Sequence, residues 1–387
     1  MTFALRRFWL LNRAALSEKL FVSNGLAQKT ALPNVIWGKV THSRLSSVFM
    51  SSNNNNYSLM LFDNGKASDE SRSPSYRKLV LAAAFFGLSV KDDKTTDTED
   101  DEKIIHIIKL AKLAFQREDY KKSEQLLHLA LKMAHDTQHH EAQRYIIDEM
   151  ANNAYESGNY LKAEKLFKET MKTLFSEGYG QSDNSIIHIS IKLASIYAKI
   201  DKDAEADVGF RFCIENLEDK MKSGADNLDA HALYCLTLSS YGEFLYNRAF
   251  YTQSLDLFKK SYDTSVKVNG PHHPFSLQQL NSMAACYSLL NRFDEAVACL
   301  QSATAIDHEA GLEDAINELP YYHVNLTNVY LTQLENASAN RKEILQRASI
   351  SCQKALELSK KIGNKEALVE AEKCMAVITK HLDELSR

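Results

Sequence analysis

The chain has 387 residues, is 44% hydrophobic and 25% charged, and carries a formal net charge of −4. That balance fits a soluble folded protein and makes no case for nucleic-acid binding. Only 5 Pro and 13 Gly are present, too few for a strand-and-turn architecture.

The charge is unevenly spread. Residues 1–62 hold seven Lys/Arg (Arg6, Arg7, Arg13, Lys19, Lys29, Lys39, Arg44) and one acid, Glu18, so they carry about +6 and the remainder about −10. In MTFALRRFWLLNRAALSEKLF the basic residues interleave with Phe, Leu and Trp at near-helical spacing. That makeup predicts a mitochondrial presequence over residues 1–50, against the alternative of an accidental basic tail. A secretory signal fits worse, because no uninterrupted apolar run follows the charges. Cleavage is expected near Arg44-Leu45-Ser46.

Residues 51–103 read as a low-complexity, disordered region: Ser51–Ser58 contains four consecutive Asn. Leu79–Val90, LVLAAAFFGLSV, is about 12 residues long, short of the roughly 17–25 a spanning helix needs. Three readings compete for it: an inner-membrane anchoring or sorting element, a short helix packed on the end of the folded part, or a disordered apolar patch. The acidic run KDDKTTDTEDDEK then reads as a solvated linker, with the folded domain, 104–387, starting near Ile104.

From there one pattern recurs. A large residue stands next to a small one, and a second small residue stands four before another large one. The units are Leu110-Ala111 with Ser123 and Leu127; Met150-Ala151 with Ala163 and Phe167; Leu193-Ala194 with Ala206 and Phe210; Tyr241-Gly242 with Ser254 and Phe258; Met283-Ala284 with Ala296 and Leu300; and Leu326-Thr327 with Ala348 and Cys352. First and second small residues are 12 apart in five units; the sixth has nine extra residues, placed in a loop at Glu335–Arg341. Small residues at fixed spacing are what two antiparallel helices need where they cross closest. This is the tetratricopeptide pattern, and it predicts an all-α superhelical solenoid of about six helix hairpins. Units begin every 40–48 residues, longer than the 34 of the basic motif. Gly178–Asn184, Ser223–Asn227 and Asn269–Pro274 carry the residues that end one hairpin and start the next. Asn364–Leu385, with Ala367, Leu368, Ala371, Met375, Ile378 and Leu382 on one side, reads as a capping helix.

The sequence offers no phosphate loop, no G-x-S-x-G, no H-E-x-x-H and no dinucleotide pattern. No enzyme, cofactor or small-molecule substrate is therefore expected. His139-His140 and His272-His273 lack further ligands at metal-site spacing, and Gly270–Pro274 reads as an inter-repeat turn. The six cysteines form no C-x-x-C pair and read as buried thiols, with disulfides left open for an oxidising compartment. A solenoid without a catalytic set reads as a protein-binding scaffold whose first helices line a concave groove. Projection places Lys109, Lys112, Tyr145, Asp148, Asn152, His188, Lys192, Glu243, Asn281, Asn325 and Asn328 there. Asn side chains can pair with the backbone of an extended peptide and the lysines with acidic groups. Ile108 and Glu149 occupy positions where a clamp for acidic chaperone tails needs polar or basic residues, so that ligand is not expected.

The long period and the turn GPHHP resemble the repeats of kinesin light chains, which would imply a cytosolic cargo or signalling adaptor. A closer resemblance covers about 100–387. EKIIHIIKLAKLAF, DEMANNAYESGNYLKAEKLFKETM, IIHISIKLASIYAKI and FCIENLEDKM are similar to a family of mitochondrial tetratricopeptide-repeat proteins. That resemblance implies a non-enzymatic protein of the mitochondrial inner membrane. Its partner would be respiratory complex III, above all the Rieske iron–sulfur subunit or its fragments.

Overall fold

The computed structural model describes residues 99–223, 228–305, 313–337 and 339–386. The leader, the apolar run Leu79–Val90 and most of the acidic run lie outside the described residues. Among the described residues there are thirteen α-helices and no strand.

They pair into six hairpins: α1 (Glu99–Gln116) with α2 (Tyr120–Asp136), α3 (His140–Glu156) with α4 (Tyr160–Ser176), α5 (Asn184–Lys199) with α6 (Asp203–Lys222), α7 (Leu228–Asn247) with α8 (Tyr251–Asn269), α9 (Pro274–Leu289) with α10 (Phe293–Thr304), and α11 (Glu313–Asn336) with α12 (Arg341–Ile362). A last helix, α13 (Lys365–Ser386), follows. The helices form two compact units, one ending at Leu233 and one starting at Tyr234, each described by itself.

Why the hairpins form is visible in their repeated parts. In the first five, the first helix ends five residues after its small residue and the second begins three before its own. The three-residue connectors between them are closed the same way. The middle residue (Glu118, Gly158, Asp201, Ala249, Asn291) has positive φ, between 58° and 79°. The next N–H donates to a carbonyl five residues back: Asp119 to Ala114, Asn159 to Ala154, Lys202 to Tyr197, Phe250 to Leu245 and Arg292 to Tyr287, at 2.8–3.0 Å. That is a Schellman C-cap, which satisfies the orphan carbonyls at a helix end. Asp119 and Asn159 then cap the following helix, accepting from the N–H of Lys122 and Lys162. Three connectors also carry edge-on ring pairs at 5.6–5.7 Å: Phe115–Tyr120, Tyr155–Tyr160 and Tyr246–Tyr251.

The small residues sit at the crossings, as the spacing requires. Ala151, Ala163, Ala206, Ala284, Ala296 and Ala348 are fully buried. Ser254 fills its crossing by donating from Oγ to the Gly242 carbonyl at 2.7 Å. A Cβ at Gly242 would lie 2.8 Å from the Phe258 ring, and one at Gly209 only 2.9 Å from the Ala194 Cβ.

In the first unit, the core runs through Leu127, Ile146 and Met150 between hairpins one and two, and through Phe167, Ile186 and Ile196 between two and three. In the second, Phe258, Leu277, Leu300, Val329, Leu345 and Ile378 belong to one continuous cluster. Each such side chain removed from water contributes about 1.5–3 kcal/mol.

Two element boundaries and one buried face differ from the expectation. Helix α1 already includes Glu99–Lys103, ahead of Ile104: the acidic end of the run forms its first turn among the described residues, where the carboxylates of Asp100 and Asp101 face the positive end of the helix dipole. The nine extra residues of hairpin six are not a loop. They lengthen the end of α11 and the start of α12 by about one turn each, leaving only 337–340 between. In the capping helix, Ala367, Ala371 and Ile378 are fully buried, but Leu382 is 45% exposed. Cys352 Sγ donates to the Ala371 carbonyl at 3.2 Å where α13 covers α12. Asn364 caps α13 through the Ala367 N–H.

The histidine pairs serve the backbone. His139 Nδ1 accepts from the Ala142 N–H at 3.3 Å, and His273 Nδ1 from the Phe275 N–H at 3.2 Å, with Pro274 opening α9. All six cysteines are free and buried. Burial pushes the thiols of Cys213, Cys235, Cys286 and Cys352 up to about 12 and Cys299 to about 11.

Candidate protein-binding faces

In the first unit, the first helices of successive hairpins meet along a polar face. α1 and α3 are joined by Lys112, whose Nζ lies 3.1 Å from Glu149 Oε1 and over the Tyr145 ring, 5.6 Å from its centroid. Burial lowers the Lys112 pKa, and Glu149 beside it resists that shift. α3 and α5 are joined by Lys192, whose Nζ lies over the Tyr155 ring at 5.7 Å. One turn earlier on α5, burial and the Lys192 charge hold His188 down to about 4, so its imidazole is neutral at pH 7.

Asp148 stands between these cations. Burial raises its carboxyl to about 6, and Glu149 adds to the rise; Lys192, Asn152 and Lys112 oppose it. Asn152 Nδ2 donates to Asp148 Oδ2 at 3.1 Å and to its carbonyl at 3.0 Å, one helical turn back. Lys192 is only 7% exposed. Yet among the described residues no salt bridge closes it onto Asp148 within 4.0 Å. The charges on this face therefore balance, two ammoniums against two carboxylates, but one of the two pairs stands open.

Of the seven positions projected onto this unit, Lys112, Tyr145, Asp148, Asn152, His188 and Lys192 gather here. Lys109 is exposed on α1. Tyr155 was missed by projection, and Glu149, placed there only as a misfit for a chaperone-tail clamp, is the partner of Lys112. The signal for Tyr155 was available, since it stands four residues after Ala151, as Tyr246 does after Gly242 and Phe115 after Ala111.

The second unit uses its amides differently. Asn325 is fully buried and donates from Nδ2 to Asn281 Oδ1 at 2.8 Å, joining α11 to α9. Asn328, 7% exposed, accepts from Cys374 Sγ at 3.4 Å, joining α11 to α13. Asn281 and Glu243 are half-buried. Asn325 and Asn328 thus tie the first helices to one another below the surface. Among the described residues no group of His, Cys, Asp and Glu is placed to hold a metal ion.

Paired antiparallel helices with small residues at each crossing define a tetratricopeptide-repeat protein. The tetratricopeptide repeat family model matches residues 233–309. Over 301 residues the chain is 35% identical to the mitochondrial tetratricopeptide repeat protein 19 homolog of Drosophila melanogaster, covering 76% of this chain and 77% of that one. Against tetratricopeptide repeat protein 19 of Homo sapiens, also mitochondrial, the identity is 32% over 261 residues, 65% of this chain and 67% of the other. The chain belongs to the tetratricopeptide repeat protein 19 family. Among solved structures, the apo quorum sensor NprR from B. thuringiensis is similar with a TM-score of 0.47 and 18% identity, covering 75% of this chain and 73% of that one.

Proposed function

We propose that this chain is a non-catalytic scaffold that holds another polypeptide against the first helices of its hairpins. Its place is the mitochondrial inner membrane, and its task the assembly or upkeep of respiratory complex III, through incorporation of the Rieske iron–sulfur subunit or clearance of its fragments. The mitochondrial assignment is supported by the names of the relatives. The complex III assignment is supported by the resemblance of the repeat segments to the family. The observation that carries the scaffold reading is the half-buried polar face of α1, α3 and α5, with charges set on aromatic rings and one ion pair left open. Desolvated, pre-positioned polar groups of this kind are what recognition of another chain uses.

Among the described residues no helix is long and apolar enough to cross a membrane.

The test is capture from detergent-solubilised mitochondria with the tagged full chain. Complex III subunits, with the Rieske protein or its fragments enriched, are the expected catch. A catch without complex III subunits sinks the assignment, and co-fractionation with cytosolic motors would favour the kinesin-light-chain-like adaptor instead. Alkaline extraction of the imported chain tests its attachment to the inner membrane.

A further inference from the structure

We infer that the open pair of Asp148 and Lys192 takes the main chain of an extended polypeptide, the carboxylate accepting a backbone N–H and the ammonium donating to a backbone carbonyl. The inference rests on the scaffold reading above and names the feature of the partner that is recognised.

Three observations carry it. First, Lys192 is 7% exposed, and the contact it makes is with the face of the Tyr155 ring. A ring face attracts an ammonium but leaves its N–H donors unused. Second, Asp148 feels Lys192 electrostatically without touching it. A gap wider than a salt bridge, bounded by an acceptor on α3 and a donor on α5, has the polarity of one peptide unit. Third, the face as a whole is neutral: Lys112 is closed on Glu149, and Asp148 offsets Lys192. A strongly acidic or basic ligand would find its own sign beside its counter-ion. A peptide backbone carries both a donor and an acceptor and meets no such repulsion.

The neighbours fit the same ligand. Asn152, bonded to Asp148 through its amide nitrogen, keeps a carbonyl oxygen to offer. Neutral His188, one turn from Lys192, supplies one donor and one acceptor. Such a site reads extension, not sequence, as a protein that handles fragments of a cleaved subunit requires.

The experiment uses the full chain and a fluorescent dodecapeptide of Ser, Thr, Gln and Val with both ends blocked. Matched versions carry four Glu, four Lys, or N-methyl groups on alternate amides. The neutral peptide should bind, with little change in affinity between low and high salt. Asp148→Asn and Lys192→Met should each weaken it by about tenfold or more, the loss of one hydrogen bond to a charged group. N-methylation should weaken it similarly, and Lys192→Arg, which keeps a donor, should retain most of the binding. Asp148→Asn keeps the side-chain shape, so it serves as the variant whose fold is preserved.

Binding of the Glu peptide alone would instead make Lys192 an anion site, and binding of the Lys peptide alone would make Asp148 a cation site. Either result, equal binding of the N-methylated peptide, or no binding of the neutral one, overturns the inference. The two proposals fail separately. If Asp148→Asn still captures complex III subunits from mitochondria at wild-type level, the main-chain site falls and the scaffold stands. If the wild type binds the neutral peptide but captures no complex III subunit, the site stands and the proposed partner falls.

Discussion

Gly209→Ala sets two ordinary rules against each other. Gly209 lies inside α6, where replacing Gly by Ala normally gains about 1 kcal/mol. Against that, the new methyl would sit 2.9 Å from the Ala194 Cβ and 3.6 Å from its Cα. Carbon atoms in good contact are about 3.5–4.0 Å apart, so α5 and α6 must part by roughly 1 Å. Ala194 has no rotamer that could give way, and it is 1% exposed in a packed crossing. Overpacking of this kind costs about 1–3 kcal/mol, and its upper half applies because both partners are fixed to helix backbones. The net effect should be a loss of about 1–2 kcal/mol, or roughly 4–8 °C in the midpoint of a unit this size. Thermal melts followed by circular dichroism give the readout, with Val208→Ala as the control. Val208 is 67% exposed on the same helix, so that change should raise the midpoint slightly. If Gly209→Ala melts at or above the wild type, the crossing is not as tight as described and the small-residue argument loses its footing.

Ala249 holds φ at 65° in an exposed connector, so Ala249→Gly should stabilise by about 0.5–1 kcal/mol. Gly158→Ala, where nothing lies within 4 Å of the new methyl, should cost a similar amount through the backbone alone; urea midpoints measure both. Asp148 has its carboxyl raised to about 6 in the folded chain, against an unfolded value near 4. Keeping it ionised therefore costs stability above about pH 6, and the cost fades as pH falls toward 4. Asp148→Asn should stabilise the protein by roughly 2 kcal/mol at pH 8 and hardly at all at pH 4, as chemical melts at the two pH values would show. His188 runs the other way: held down to about 4, it withdraws stability as pH falls from about 6.5 to 4, so His188→Gln should flatten the acid side of the curve. Native protein should show no fast reaction with a thiol reagent, and denaturant should release all six cysteines together.

Much of this architecture could be read from residue order. The twelve-residue spacing of small residues located five hairpins to the residue, because helix crossings tolerate nothing larger and the connectors have one fixed length. Gly209 escaped that reading because it is a third small residue, outside the repeated pair, and only the approach of Ala194 gives it meaning. The nine additional residues of hairpin six looked like a loop because they are polar; polar residues also face water on the tips of long helices. The candidate face was half legible. Projection finds the direction of a side chain around its helix but not the depth at which the neighbouring helix covers it. Asn325 and Lys192 therefore read as surface groups, whereas one is fully buried and the other 7% exposed. The open pair of Asp148 and Lys192 depends on how far apart α3 and α5 stand, a quantity no pattern along one chain contains.

The sixth hairpin shows how an array like this can change length. Its two helices outgrow those before them by whole turns, so every inward side chain keeps its bearing, and Ala348 still lands in its crossing with 0% exposure. Two residues inserted inside either arm, between two of its packed residues, would instead swing the stretch beyond them by about 200°, presenting charge to the interior and leucine to water. The tips, which lie past every crossing, are thus where the array can grow, and the natural place to graft a tag or a sensor onto this scaffold.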